Sequence, residues 1–581
     1  MIERKDISSF FDLEAEAAKK SWDALMKLPI KERVRKRKAI NQVILDKDFN
    51  EYSDENKRLF KVTFIKDLSD FKEGDCLLLH KENLNSGIKC TVNRFEDDNT
   101  IIIEVFSWPC DLDSYYDTLL CLDKDLVDLR QNVFDNFLVN LPSEKKYWNE
   151  LKINTKQAPV FKDKADVEDE LEDTIKNFKL NLLPRQREAI INCMAAEDYY
   201  LVQGPPGTGK SFVLSFIILE EIAYFNRKVI VVGPNHLAIN NTLIQVAKNC
   251  PSYIPNVLKV GQTYNMPDFK MIEDGKEMKI ENILRLNTTA ASNSGFAWVI
   301  GLTPHCLYTS RARGLECDTL IIDEAGQMTI PLALMGMIKA KKVIFAGDYK
   351  QLPPIVSSEE IRDEMKQSVF QSLITDENCT MLDVSFRMCE PICNFVSELF
   401  YDGELKPMKL GCGNAVINSN PLYSFDSPVI IHHIDDCGEQ TSDKEAEFIA
   451  EMVGNYLKYG LPASEIAVLS PFRAQAANIR RVIRKNEYIK EEEYQQIAVD
   501  TIDKMQGQER EVIIFSLVAG DIEYMTEMAD FLYNPNKLNV AFSRAKSKLI
   551  IVGNIDKLKL MDSATFPHLK RMLGSQYVKL V

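Results

Sequence analysis

The chain has 581 residues, 45% of them hydrophobic and 27% charged, which is the make-up of a soluble globular protein with room for three or four domains. No run of about 18 apolar residues occurs, and the start, MIERKDISSFFDLEAEAAKK, lacks the basic-then-apolar order of a signal peptide; a cytoplasmic, intracellular protein without a membrane partner is expected. The formal net charge of −15 argues against nucleic acid only as an average, because phosphate affinity depends on the local lining of one groove.

Residues 11 to 46 read as helical, with a break at KLPIKE where Pro29 has no N–H to continue the hydrogen-bond ladder. The run KERVRKRK at 31 to 38 is open to two readings, a solvated helix face or the basic wall of a groove. Between 59 and 106 the runs LFKVTFI, DCLLLHK, GIKCTVNRF and TIIIEVF, divided by turn formers, predict a small antiparallel sheet closing into a barrel. Residues 112 to 156 return to helical spacing, and the acidic KADVEDELED at 164 to 173 is expected to be a linker. From about 180 apolar strands alternate with helical patterns: YYLVQG, KVIVVG, AWVIGL, DTLIID and KKVIFAG, then PVIIHHI, EIAVLS, QIAVD, EVIIFSLV and KLIIVG. Strands this continuously apolar are covered on both faces, so two doubly wound parallel-sheet α/β domains are expected. The predicted division is 1–175, 176–375 with a small insertion at about 243–296, and 376–581. Thirteen cysteines without a C-x-x-C pair suggest neither a zinc ribbon nor a disulfide framework, and Cys389 and Cys393 sit in a helical pattern.

GPPGTGKS follows one of these strands and precedes the apolar run FVLSFIILEEI, the context a P-loop requires. Gly204, Gly207 and Gly209, with Pro205, Pro206 and Thr208 between them, would turn backbone N–H groups toward phosphates, and the following helix adds its positive end. Lys210 would reach the β and γ phosphates and Ser211 would hold Mg²⁺. At the end of DTLIID, Asp323 is expected in the magnesium shell and Glu324 as the base for the attacking water. ATP and Mg²⁺ are the expected cofactors; the guanine-reading N-K-x-D string does not occur.

The remaining motifs, from about Leu183 to Asn554, resemble superfamily 1 helicases of the 5′-to-3′ group, the family of the nonsense-mediated-decay helicase and the immunoglobulin mu-binding helicase. The resemblance implies two RecA-like motor domains preceded by a helical stalk and a small barrel. In LPRQREAI it implies Gln186 as the adenine reader, and in GDYKQLPP Gln351 as a γ-phosphate sensor. VVGPNHLAINN, IGLTPHCLYTS and IAVLSPFRAQ would give nucleic-acid contacts at Asn235, Thr303, Pro471 and Phe472; His236, Asn240, Ser470 and Phe472 depart from the common pattern. DVSFRMCE would place Phe386 on the adenine and Arg387 at the γ phosphate, and DKEAEFI would offer Glu445 to the ribose. VDTIDKMQGQERE and LNVAFSRAKSK imply Thr501 at the nucleic acid, Gln506, Gly507 and Glu509 at the nucleotide, and Arg544 at the transition-state charge. The expected activity is ATP-driven 5′-to-3′ movement of a monomeric motor along single-stranded DNA or RNA, with strand separation. The alternative is an ATP-gated clamp that remodels nucleic-acid complexes without processive unwinding.

Overall fold

The computed structural model describes residues 2–49, 51–53, 58–65, 69, 71, 73–81, 87–97, 99–105, 114–127, 133–141, 158–178, 181–261, 270–273, 276–411, 428–436, 438–518, 520–561 and 566–581. A helix runs over Arg4–Met26, ends before Pro29 and resumes at Ile30–Arg35. It does not reach 46. Ala39–Leu45 is a strand, in which Val43 and Leu45 are buried and Ile44 is exposed, so the two-residue alternation outweighs the helical reading.

That strand completes the expected barrel. Ala39–Leu45, Leu120–Lys124, Cys76–His80, Ile88–Asp97, Thr100–Val105 and Arg58–Thr63 pair antiparallel in this order, and the first also pairs with the last, closing six strands around Val43, Phe60, Leu77, Ile101 and Leu122. Closure removes the sheet edges. Leu120–Lys124 lies in the region expected to be helical; Asp135–Asn140 is a helix there, and residues 142–157 lie outside the described residues. The acidic stretch is also not a linker. It forms the helix Lys164–Phe178, whose Val167 and Leu171 pack into the core of the first α/β domain while its charges face outward.

The first α/β domain is an eight-stranded, all-parallel sheet in the order Glu281–Ile283, Val257–Val260, Val299–Gly301, Val229–Val232, Cys317–Ile322, Ala340–Gly347, Tyr199–Gln203, Cys379–Met381. All five strands read from the first block are present. The sheet runs past the expected boundary at 375, because Cys379–Met381 pairs with Tyr199–Gln203. The predicted insertion is smaller than 243–296: Val257–Val260 and Glu281–Ile283 belong to the main sheet, and the hairpin of Lys270–Glu273 with Lys276–Lys279 stands apart. The second domain has six parallel strands in the order Ala498–Thr501, Ile466–Ser470, Arg510–Ser516, Ala545–Gly553, Val429–His433, Val578–Leu580. Both are RecA-like.

The long N-terminal helix is fastened to the first domain. Phe11 stacks on Phe134 at 3.9 Å, Phe137 meets Tyr308 edge-on at 5.2 Å, and Glu14 Oε1 accepts from the backbone N–H of Ser357 and Ser358 at 2.8 and 2.9 Å. Among the described residues no helix is long and apolar enough to cross a membrane.

Candidate nucleotide and nucleic-acid site

The strand Tyr199–Gln203 is buried along its whole length and delivers GPPGTGKS to the junction of the two α/β domains. Gly207 and Gly209 have φ of +75° and +82°, a conformation glycine adopts without steric cost, and a Cβ at Gly207 would stand 2.5 Å from the Cβ of Arg387. Gly209 leads into the helix Lys210–Leu219, with Ser211 half-buried in its first turn. Gly204 donates to the Gly347 carbonyl at 2.9 Å, and the buried Thr208 hydroxyl donates to the Pro205 carbonyl at 2.8 Å.

The Lys210 ammonium lies between the carboxylates of Asp323 and Glu324, 2.9 Å from Glu324 Oε1. Burial opposes its charge, but the two carboxylates outweigh burial and raise its pKa. The second oxygen of Asp323 accepts from Thr242 Oγ1 at 2.7 Å. Glu324 sits at φ +56°, where an L-residue carries a cost of roughly 1–3 kcal/mol, and Gln327 Nε2 holds its other oxygen at 3.0 Å. Among the described residues no group of three or more His, Cys, Asp or Glu could hold a metal by itself. A site built from one hydroxyl, one carboxylate and phosphate oxygens has the same hard oxygen donors that Mg²⁺ prefers.

The second domain touches this cradle directly. Phe386 N–H donates to the Gly207 carbonyl at 2.8 Å and Ser385 Oγ to the Pro206 carbonyl at 2.9 Å, while Phe386 as a residue remains 39% exposed beside the loop. Arg387 is held by Glu509 at 2.6 Å and by the Ser543 carbonyl at 3.2 Å. Burial would raise the Glu509 pKa, yet Arg387 and Lys546 outweigh it and lower it. Arg544 is buried and donates to the carbonyls of Val540 and Gln508 at 2.9 and 3.3 Å and to Gln351 Oε1 at 3.2 Å. Burial, then the charge of Arg387, pushes its pKa down.

Three residues without a sequence assignment complete the link. Asp348 accepts from Gln351 Nε2 at 2.9 Å, from Gln203 Nε2 at 3.2 Å and from the Tyr401 hydroxyl at 2.5 Å. Asn539 Nδ2 donates to Tyr401 Oη at 2.8 Å and to the Lys350 carbonyl at 2.7 Å. Tyr401 and Asn539 belong to the second domain and Asp348 to the first. The one available signal was a polar residue inside an apolar helical pattern, as in LNVAF.

Other expected site residues sit differently. The Gln186 amide accepts from Leu183 N–H at 3.1 Å and donates to the Thr208 carbonyl at 3.2 Å, so both ends brace the P-loop in this state. Glu445 is turned into the second domain: 1% exposed, it accepts from Ser516 Oγ at 2.6 Å and Val518 N–H at 3.1 Å, and burial pushes its pKa up to about 8. The cause is local, since Ser442 caps the helix Asp443–Lys458 and aims Glu445 at the end of Arg510–Ser516. Pro471 and Phe472 are buried, the latter against Tyr524 and Phe531, rather than presented to a strand of nucleic acid. Asn235 is exposed and caps His236–Asn249, Thr303 is half-buried after Val299–Gly301, and Thr501 is 7% exposed at the end of its strand. His236 pairs with Lys259 at 3.0 Å; burial, then Lys259, lowers its pKa to about 4. Gly507, at φ +78°, turns the chain beside Leu237 of the first domain.

Two family models, each described as an AAA domain, match residues 181–294 with 297–359 and residues 365–556. An uncharacterized ATP-dependent helicase of Methanocaldococcus jannaschii is 27% identical over 477 residues, covering 66% of this chain and 69% of that one. The DNA polymerase alpha-associated DNA helicase A of Schizosaccharomyces pombe is 28% identical over 457 residues, covering 68% and 67%. The chain belongs to the superfamily 1 helicases of the DNA2/NAM7 type. As a member of that family it is an ATP-hydrolysing enzyme, and the site just described is the helicase's junction of two RecA-like domains. The DNA replication ATP-dependent helicase/nuclease DNA2 of Saccharomyces cerevisiae is 28% identical over 443 residues, but the chain spans only 27% of its length. An arterivirus nonstructural protein 10 (helicase) solved with DNA covers 93% of this helicase and 83% of its own chain at 13% identity and a TM-score of 0.40, a likeness too low to carry the fold.

Proposed function

We propose that this helicase hydrolyses ATP to move 5′-to-3′ along a single strand, as a monomeric motor, and so separates duplexes. The observation that carries the reading is the pair Arg387 and Arg544, which come from the second domain and meet the P-loop and Gln351 of the first. Lys210 binds the β and γ phosphates in exchange for its present carboxylate partners, and Glu324, fixed by Gln327, accepts the proton of the attacking water. Ser211 and Asp323 would hold Mg²⁺, which when bound neutralises phosphate charge. Phe386 offers its exposed face to the adenine, and stacking needs no hydroxyl. Arg544 senses the γ phosphate through Gln351, so hydrolysis changes the contact between the domains.

Asn235, Thr303 and Thr501 lie at the C-terminal ends of strands in the two parallel sheets, the edge where such sheets present ligand contacts, and they are the proposed strand-touching groups. Pro471 and Phe472 shape that edge from within. The DNA named for the Schizosaccharomyces pombe and Saccharomyces cerevisiae relatives makes DNA the first strand to test.

The test is ATP turnover with matched single-stranded DNA and RNA, beside displacement from duplexes tailed at either end. Stimulation with displacement from the 5′ tail alone is expected. Stimulation without displacement from either tail would establish the clamp instead, and no stimulation by either strand would overturn both.

A further inference from the structure

We propose that Asn536, two residues before the LNVAFSRAKSK run and outside the motifs named above, is a positioning residue for ATP hydrolysis. From the second domain it holds the main chain on both sides of Lys350, so that Gln351 stands in place only while the two domains are in contact. The inference rests on the reading of Gln351 as the γ-phosphate sensor and adds what positions it. Asn536 Nδ2 donates to the Tyr349 carbonyl at 2.8 Å and to the Gln351 carbonyl, and Asn539 Nδ2 donates to the Lys350 carbonyl between them at 2.7 Å. Three consecutive carbonyls of the first domain are thus met by two amides of the second.

The turn after the strand Ala340–Gly347 uses its own N–H groups internally. The Asp348 carbonyl accepts from Gln351 N–H at 3.2 Å, and Asp348 Oδ1 accepts from Lys350 N–H at 3.1 Å. The carbonyls of Tyr349, Lys350 and Gln351 then need donors from outside the turn wherever the junction excludes water. An amide suits this place because one nitrogen carries two N–H groups, and those of Asn536 reach two carbonyls. Turned over, the amide would set its oxygen against both carbonyls, so the partners dictate its orientation. The helix Pro535–Phe542 supplies the aim. Asn534 caps it, accepting from the N–H groups of Asn536 and Lys537 at 3.0 and 3.2 Å, and the spacing of Asn536 and Asn539 puts both on one face.

Gln351 is therefore held from the second domain at two atoms, its carbonyl by Asn536 and its side-chain oxygen by Arg544 at 3.2 Å. The hold from the first domain is Asp348, which takes the Gln351 N–H and side-chain amide at 3.2 and 2.9 Å and itself accepts from Tyr401 of the second domain at 2.5 Å. Lys350 also pairs with Asp402 at 3.1 Å, but that carboxylate is exposed and the pair contributes little. Each residue from 348 to 351 thus has a second-domain partner, and separation of the domains releases all of them together. The setting of the sensor is a property of the closed junction, and Asn536 carries that dependence into the main chain.

The test measures ATP turnover by the full chain with single-stranded DNA present, in wild type, Asn536→Ala, Asn536→Asp and Gln351→Ala, at a temperature below every variant's melting midpoint. Aspartate has the shape of asparagine and is favoured in the first turn of a helix, so Asn536→Asp keeps the helix while it sets carboxylate oxygens against both carbonyls. Asn536→Ala is expected to lower kcat roughly 10-fold, as the loss of two neutral hydrogen bonds implies. KM for ATP should stay within a few-fold, because the P-loop is untouched. Asn536→Asp should lower kcat at least as far. A side chain that only fills space gives the opposite order, with aspartate near wild type and alanine impaired, and that order overturns the inference. So does wild-type kcat in both Asn536 variants, or a rise in KM with kcat unchanged. If Gln351→Ala turns over at the wild-type rate, the sensor reading fails and takes this inference with it. If Gln351→Ala is slow while both Asn536 variants are fast, this inference fails alone.

Discussion

Replacing Arg544 by alanine removes four hydrogen bonds at once. The residue is 2% exposed, and its guanidinium satisfies the carbonyls of Val540 and Gln508, the Ser543 hydroxyl and Gln351 Oε1. Leaving buried acceptors without a donor costs about 1–3 kcal/mol, which in a domain of this size lowers the midpoint of thermal unfolding by roughly 2–4 °C per kcal/mol. Hydrolysis is expected to fall much further, by on the order of 10³, the lower range for an arginine that stabilises transferring phosphate and equal to about 4 kcal/mol of barrier. ATP affinity should stay within a few-fold, because Lys210 and the glycine turn remain. The assay is single-turnover hydrolysis at saturating single strand, well below the variant's unfolding midpoint, beside binding of a fluorescent nucleotide. A Gln351→Ala partner tests the link: the double variant should lose less than the product of the single losses, with a coupling of roughly 0.5–3 kcal/mol for residues in contact. Lysine should rescue poorly, since a point charge cannot serve carbonyls and an amide in one plane. Near wild-type hydrolysis in Arg544→Ala, or full additivity with Gln351→Ala, would refute the reasoning.

Glu324→Gln should keep ATP binding and lose turnover by on the order of 10² or more, whereas Lys210→Ala should abolish hydrolysis and leave Asp323 and Glu324 facing each other; rapid turnover in Glu324→Gln rules out its role as base. Gln186→Ala should weaken ATP and GTP alike, because its amide braces the Thr208 carbonyl, and a loss confined to ATP would show that the amide turns to the base. Tyr401→Phe should lower stability and the strand-stimulated rate together by removing the hydroxyl that donates to Asp348, worth about 1.5–3 kcal/mol when one partner is charged, and that accepts from Asn539 Nδ2; an unchanged rate would uncouple this bridge from hydrolysis. Glu445 has its folded pKa raised from 4.5 to about 8, so the stability it contributes is fully present below pH 4.5 and is lost as pH rises through 8, at about 1.4 kcal/mol per pH unit between. Glu445→Gln should therefore gain stability relative to wild type from pH 5 to 8 in thermal melts, with ATP affinity within a few-fold; a pH-independent difference would contradict the enclosed carboxyl.

The chemistry of the phosphate cradle was legible because it is local. GPPGTGKS dictates its own turn through glycines at positive φ, the strand before it and the helix after it, and DTLIIDEAG ends its strand where Asp323 and Glu324 must meet Lys210. Every apolar strand read from the two α/β blocks is in its sheet, since burial on both faces leaves a continuous apolar run in the sequence. Where a segment's partner lies far along the chain, that signal disappears. Ala39–Leu45 and Leu120–Lys124 are strands because the barrel closes through them, Cys379–Met381 joins a sheet whose neighbouring strand is 180 residues earlier, and the acidic helix Lys164–Phe178 is defined by what Val167 and Leu171 touch. Side-chain direction was equally a tertiary matter. Glu445 and Gln186 match their motifs, yet the first is drawn into the interior by Ser516 and Val518 and the second onto a carbonyl of the P-loop. The bridge of Asp348, Tyr401 and Asn539 exists only once two domains are set against each other. Sequence spacing fixes which residues share a turn, a strand or a helix face, whereas hydrogen bonds and fields between distant segments depend on distances that only the packed chain defines.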